Sequence, residues 1–244
     1  MSAQRALEAL AGVTAALVRD GDVVSGLTEL TQAYADLVAG GAAVGLLAAE
    51  TVPRGDGVSL ETLASSSHDA AQLELYQAQV GEGPSVEVMA TGVDVSVLGP
   101  AAMVERWPRL GDVMARGGVG AVHAVPMRWL GDTIGALNVL LPDERDLTAD
   151  ERAAAHAFAD VAAVTLAHAR GRPRAEEVAH GVRAALRGRV VIEQAKGVLM
   201  HVAFADAGTA FRLLTERARA SGAPLSAVAQ ELVDQARLGR LPRA

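Results

Sequence analysis

Residues 119–141 read VGAVHAVPMRWLGDTIGALNVLL. Val119–Arg128 and Thr133–Leu141 are two apolar runs of strand length, separated around the turn-forming dipeptide Gly131-Asp132. That arrangement predicts an antiparallel hairpin. On the N-terminal side, Val93–Val97 alternates as a strand does. Ala42–Ala49 is a short apolar run that reads as a buried strand, and Val58–Ala64 follows as another after the turn Pro53-Arg54-Gly55-Asp56-Gly57. Residues 69–80 and 85–90 read as helices around the tight loop Gly81-Glu82-Gly83-Pro84, and Trp107–Arg116 as a further helix.

Helical patterns enclose this strand-rich centre. Residues 5–19 carry Leu7, Leu10, Val13 and Leu17 on one stripe, and residues 24–38 carry Leu27, Leu30, Tyr34 and Leu37. Thr148 with Glu151 is a capping box that opens an Ala-rich helix running to about Arg170. Gly171-Arg172-Pro173-Arg174 then marks the domain boundary, because proline disfavours helix at the residue before it. Three helical segments follow, 175–202, 206–221 and 224–238, with Asp206 and Gly222-Ala223-Pro224 at their junctions. The expectation is an α+β domain over residues 1–171 and an all-α three-helix domain over 172–244.

Composition narrows the function classes. The chain has no Cys, which excludes disulfide frameworks, thiolate nucleophiles and Cys-based zinc sites. The N-terminus lacks a basic region followed by an apolar one, and no apolar run reaches the roughly 18–20 residues a bilayer span needs. A soluble, cytoplasmic protein without membrane contact is expected. The net charge of −7 is unevenly spread: residues 1–171 hold 10 Arg against 22 acidic residues, and residues 172–244 hold 12 basic against 7 acidic. A basic segment on an acidic body hints at nucleic acid; Arg-rich helical tails also serve solubility.

Four stretches carry a first resemblance: Val80–Ser85 (VGEGPS), Arg106-Trp107-Pro108, Ala121–Met127 (AVHAVPM) and Leu130–Val139 (LGDTIGALNV). In order and spacing they resemble the GAF family, in the variant found in actinobacterial regulators. The resemblance implies a GAF-type antiparallel sheet flanked by helices, with a cavity on one side. Family members bind cyclic nucleotides, tetrapyrroles or small metabolites, or serve only as dimerisation modules. Without Cys, covalent bilin attachment and methionine sulfoxide reduction are impossible here, and Ser85 stands where relatives often have Cys.

No catalytic or metal residue stands out, no cofactor is expected, and an enzyme is not expected. His68, His123, His156 and His168 are scattered without metal-motif spacing and read as surface or satisfied core residues. Nothing pairs Glu82 with Glu87 as acid and base, and Ser85 lacks the G-x-S-x-G context. Trp107 and Tyr76 read as core. Ligand contacts in this half stay unassigned.

The sharpest motif is Arg189–Met200, RVVIEQAKGVLM, followed by Ala210–Leu214 (AFRLL) and Leu225–Ala229 (LSAVA). Ile192, Leu199, Phe211, Leu214, Leu225, Val228 and Leu232 can form a small three-helix core, and Val178, Val182 and Ala185 or Leu186 read as a weak coiled-coil-like seam. Lys196 is the single lysine among 21 arginines. A mid-helix glycine at Gly197 costs about 1 kcal/mol relative to alanine, which admits close approach of a backbone: a partner helix, an RNA loop or the second helix. These motifs resemble an ANTAR domain. The resemblance implies RNA binding to tandem small-loop hairpins in leader transcripts, transcription antitermination and a homodimer. It places Gln194 and Lys196 at the loops and Arg189 at phosphate, with Ala195, Gly197, Met200, Arg212 and Ser221 beside them. A possible small-molecule or protein signal at the GAF half would trigger the change. Two other readings stay open. One is a DNA-binding regulator, although residues 224–238 are poor in the charge a recognition helix carries. The other is an interaction module whose tail only dimerises.

Overall fold

A computed structural model describes residues 3–20, 22–51, 58–167, 175–203 and 205–239. The N-terminal half begins with α1 (Ala3–Asp20) and α2 (Val23–Leu37), then β1 (Ala43–Thr51) and β2 (Val58–Ser65). Helices α3 (His68–Val80) and α4 (Pro84–Thr91) lead to β3 (Val95–Leu98), α5 (Pro100–Arg106) and α6 (Pro108–Arg116). The hairpin β4 (Ala121–Trp129) and β5 (Asp132–Leu141) and the helix α7 (Ala149–Ala167) close it. Three helices follow: α8 (Ala175–Ala203), α9 (Ala207–Ser221) and α10 (Leu225–Arg237). The boundary Gly171–Arg174, the turn 53–57 and His168 lie outside the described residues, as do the side chains of Val178, Val182 and Ala185.

The five strands form one antiparallel sheet in the order β2-β1-β5-β4-β3. Both faces are covered, so Ala121–Met127 is buried at every position. Successive side chains go to opposite sides. Val125, Met127, Leu137 and Val139 enter a core beneath α2 and α7. Val122, Ala124, Ala136 and Leu140 enter a second core beneath α3–α6, around Met103, Trp107, Leu110 and Met114. Pro126 sits in β4 without disrupting pairing to β3, because β3 reaches only Val95 opposite Ala124.

Three local expectations shift. The hairpin turn is Leu130-Gly131, not Gly131-Asp132. Trp129 pairs with Asp132, and Leu130 and Gly131 have φ of 52° and 97°, the two positive values a two-residue turn of this hand requires. Strand β3 starts at Val95, leaving Val93 exposed. The segment 100–106 is an additional helix, and both α5 and α6 open with proline in the first turn, where the missing N–H costs nothing.

The capping box at α7 does more than start a helix. Thr148 N donates to Glu151 Oε2 at 2.9 Å, and Glu151 N donates back to Thr148 Oγ1 at 3.2 Å. The same carboxylate accepts from Arg145 Nη1 at 2.9 Å and from Ala39 N, just past α2, at 3.3 Å. Tyr34 on α2 donates its hydroxyl to the Glu151 carbonyl at 2.8 Å. Burial pushes the Glu151 pKa up, but the Arg145, Thr148 and Ala39 hydrogen bonds outweigh it and hold the group at about 2. Its stabilisation is therefore present above the usual glutamate value and is lost as pH falls through about 2. In urea unfolding, Glu151→Ala is expected to cost about 2–4 kcal/mol at pH 7, with the gap to the parent narrowing below pH 4.5.

Candidate nucleic-acid interface

The C-terminal half of α8 has two faces with different fates. At 3.6 residues per turn, Arg189, Ile192, Ala195 and Lys196 point inward and Val190, Gln194 and Gly197 outward, while Met200, one turn beyond Lys196, is 40% exposed. Ile192 and Ala195 join the core with Leu214 of α9 and Leu225, Val228 and Leu232 of α10, and Leu199 and Phe211 pack against it half-buried. That core is continuous with the one beneath α2 and α7.

Lys196 is only 3% exposed. Its Nζ donates to both carboxylate oxygens of Glu193, at 3.0 and 2.9 Å. It also lies 3.1 Å from Nδ1 of His68, the first residue of α3. The Phe211 ring centroid is 5.8 Å from the same nitrogen. A buried ammonium demands such partners, and one of them comes from the N-terminal domain. Arg189 crosses the same seam: its Nη1 donates to the Thr62 carbonyl of β2 at 3.0 Å. Burial pulls the guanidinium pKa below its ordinary value, against the opposing pull of Glu193 and Glu61.

Two further contacts tighten the seam. A Cβ on Gly188 would fall 2.5 Å from Cγ2 of Val24, so α8 and α2 meet where only glycine fits without displacement. Asp22, the N-cap of α2, accepts from Ser25 Oγ at 2.6 Å and from the hydroxyl of Ser226 at the start of α10. Ser226 N donates to Ser25 Oγ at 3.0 Å.

The outward residues form no such seam. Gln194 is exposed, and a Cβ on Gly197 would meet nothing within 4 Å, so packing inside the chain does not call for glycine there. Arg212 is exposed on α9, where its Nη2 donates to Thr209 Oγ1 at 2.9 Å. Ser221 finishes α9: its hydroxyl donates to the Ala218 carbonyl at 3.1 Å and accepts from Ala223 N at 3.4 Å. The eight residues singled out from sequence thus divide. Arg189, Ala195 and Lys196 are turned toward the interior, and Gln194, Gly197, Met200, Arg212 and Ser221 face out. The partners of the inward group, His68, Glu193 and Thr62, carried no sequence signal of that role, because they are distant in the chain or ordinary in type.

On the far side of the sheet, the space beneath α3–α6 is filled by side chains, among them a buried polar cluster. Asn138 Nδ2 donates to Glu74 Oε1 and Oε2 at 2.9 and 2.8 Å and lies 2.7 Å from Ser85 Oγ. Gln77 Nε2 donates to Glu74 at 2.9 Å, and Ser85 N donates to Gln77 Oε1 at 2.7 Å. Gly45 makes room for the carboxyl: a Cβ there would lie 2.3 Å from Glu74 Oε1. Ser85, noted for standing in a place of Cys, is thus a hydrogen-bonding member of this cluster.

The acidic pair from the loop serves structure. Glu82 accepts from Arg109 N and Leu110 N at 2.6 and 2.8 Å, capping α6, and Glu87 binds Arg106 and the Trp107 indole, the latter at 2.8 Å. His123 is fully buried between Ser96 Oγ at 2.9 Å and the Arg145 carbonyl at 3.2 Å, and His156 meets Asp94 at 3.0 Å. Among the described residues, no three His, Asp or Glu side chains group as a metal site.

Burial raises the Glu74 pKa to about 7, even though the hydrogen bonds from Asn138 and Gln77 pull it down. The folded state therefore holds this proton more tightly than the unfolded chain, and stability is lost as pH rises from about 4.5 to about 7. Glu74→Gln, which cannot ionise, is expected to gain about 3 kcal/mol over the parent at pH 8 and far less at pH 4.5, read by urea unfolding at both values.

Comparison with known proteins agrees with this geometry. The family model of the GAF domain matches residues 6–166, and that of the ANTAR domain matches residues 180–233. Among solved structures, the GAF domain of a phosphoenolpyruvate-protein phosphotransferase from Coxiella burnetii aligns with a TM-score of 0.52 at 17% identity, covering 69% of this chain and 96% of that one. The GAF domain of the Acinetobacter phosphoenolpyruvate-protein phosphotransferase gives 0.51 at 17% identity, with 69% and 96% covered. At that identity the likeness is one of fold. No curated protein matches the chain.

Proposed function

The chain belongs to the GAF family and carries an ANTAR domain behind its sensor, and on that premise we propose that it is an RNA-binding transcription antitermination regulator gated by its own sensor domain. One observation carries the gating: Lys196 and Arg189, the two cations of the α8 motif, are both engaged across the domain seam, by His68 and the Thr62 carbonyl. A cation spent on a protein partner cannot neutralise phosphate. The outward residues Gln194, Gly197 and Met200 remain accessible for single-stranded loops, whose splayed bases are the usual targets of specific RNA recognition.

In this reading the compact arrangement is the resting state. A signal that favours separation of α8 from α2 and α3 frees Lys196 and Arg189, and the bundle then holds tandem hairpins in a leader transcript so that a terminator cannot form. Two hairpins suit two copies of the chain, so the active form is a homodimer. The signal acts through unequal affinity for the closed and open states. Among the described residues no single helix is long and apolar enough to cross a membrane. The proposed setting is the cytoplasm, where nascent transcripts are.

Full-length protein, Gly188→Leu and Gly188→Leu/Lys196→Ala are to be titrated against tandem-hairpin RNA, single-hairpin RNA and duplex DNA at two salt concentrations. Leucine at 188 cannot stay 2.5 Å from Val24, so the seam opens. The expected result is at least tenfold tighter binding of tandem hairpins by Gly188→Leu, reversed in the double variant. Equal affinity for RNA and duplex DNA in all three proteins would defeat the RNA reading and favour a DNA-binding regulator. No binding of either nucleic acid would favour a tail that only dimerises.

A further inference from the structure

Glu193 is the one acidic residue of the motif Arg189–Met200. It stands four residues after Arg189 and three before Lys196, the spacing at which side chains meet on a helix. Its carboxylate takes two hydrogen bonds from Lys196, at 3.0 and 2.9 Å. Its charge also opposes the fall that burial imposes on the Arg189 pKa. The pair with Lys196 is unequally placed: the lysine side chain is 4% exposed and that of Glu193 48%, so the carboxylate is the member that faces solvent. An ammonium has three N–H groups and no acceptor. Three atoms lie within 3.1 Å of Lys196 Nζ, the two Glu193 oxygens and His68 Nδ1. They differ in what carries them. His68 belongs to α3, and the Thr62 carbonyl that engages Arg189 belongs to β2, whereas Glu193 rides on α8, less than one turn from Lys196. Parting the seam removes His68 and Thr62 and leaves Glu193 where it is.

We infer that Glu193 is a specificity-determining residue of the α8 face: in the open state it stays paired with Lys196, which then presents a compensated charge and one free N–H, fitted to a neutral acceptor on an unpaired base and poorly fitted to phosphate. Attraction to phosphate carries no sequence choice. The splayed bases of single-stranded loops do carry it. A carboxylate held on the same helix as the cation works against the first and leaves the second untouched, which is the repulsive half of a selective surface. A pair of this kind adds little to stability once exposed, so its effect is on which ligand the lysine accepts. Arg189, under the same negative charge, is restrained in the same sense. The inference rests on the gated RNA reading above.

The test places Glu193→Gln in the full-length parent and in full-length Gly188→Leu, whose seam is already opened, so that loosening by the new substitution adds nothing there. Both are titrated against tandem-hairpin RNA and an unrelated single-stranded RNA of equal length over a salt series. In the Gly188→Leu background, Glu193→Gln is expected to bind the unrelated RNA at least fivefold tighter and the tandem hairpins no more than twofold tighter. Its salt slope on the unrelated RNA should steepen by about 0.7, the share of one phosphate on a single strand. The parent background should show the same signs at smaller amplitude. Glu231→Gln, which removes an exposed carboxylate of α10, should leave preference and slope as they were. Preference and slope unmoved by Glu193→Gln in both backgrounds, or moved equally by Glu231→Gln, overturn the inference. Failure of the RNA reading shows in different proteins: no tandem-hairpin preference in chains that keep Glu193, Gly188→Leu included, refutes that reading and this inference with it.

Discussion

Helix α2 is wanted by two cores at once. Val24, Leu27, Leu30 and Tyr34 are each 2% exposed or less, with the sheet and α7 on one side and the C-terminal helices on the other. A helix enclosed in this way must satisfy its own polar side chains. Thr28 donates to the Val24 carbonyl at 2.9 Å, Thr31 to the Thr28 carbonyl at 2.9 Å, and Ser25 to the capping Asp22. Once α2 is fixed, the positions of α8 and α10 follow: Gly188 seats against Val24, and Ser226 against Asp22 and Ser25. The orientation of the nucleic-acid motif relative to the sensor is thus a consequence of how α2 is buried.

The same arrangement explains why one motif has two characters. Along α8, residues one apart differ by about 100° in direction, so Gln194 is exposed while the next residue, Ala195, is buried. Lys196 falls on the inner side, where an ammonium is costly to leave unpaired, and the fold supplies Glu193, His68 and the Phe211 ring. Two of those partners are polar, and they sit beside an apolar core that runs continuously from α2 and α7 into the C-terminal helices. Glu74, on the same helix as His68, is by contrast enclosed and hydrogen-bonded to Asn138 and Gln77 within the first domain.

The chain's alternation of residue types was enough to place most elements. The α7 capping box was legible because Thr148 and Glu151 are three residues apart and need nothing else to find each other. The core positions of the last three helices were legible for the same reason, since apolar spacing encodes a buried face before any partner is known. The turn at Leu130-Gly131 was misplaced by one residue, because Asp132 is as good a turn former as leucine is a poor one. The register of β4 against β5 decided the matter. The helix at 100–106 escaped notice because seven residues carry too little periodicity to stand out.

What the sequence determined by itself was local and periodic: two domains' worth of elements, the absence of thiol chemistry, the basic tail on an acidic body, and a motif of helical spacing with a lone lysine. What only the tertiary structure decided was which way that motif faces. Lys196 meets His68 across 128 residues and Arg189 meets Thr62 across 127, and no spacing rule reaches that far. A cleft of about 450 Å³ lined by Val13, Thr28, Thr215 and Leu225, between α1 and α2 on one side and α9 on the other, belongs to the same class of fact, since no one helix specifies it. Local pattern fixes which side of a helix is apolar; long-range packing fixes what that side, and the charges beside it, are set against.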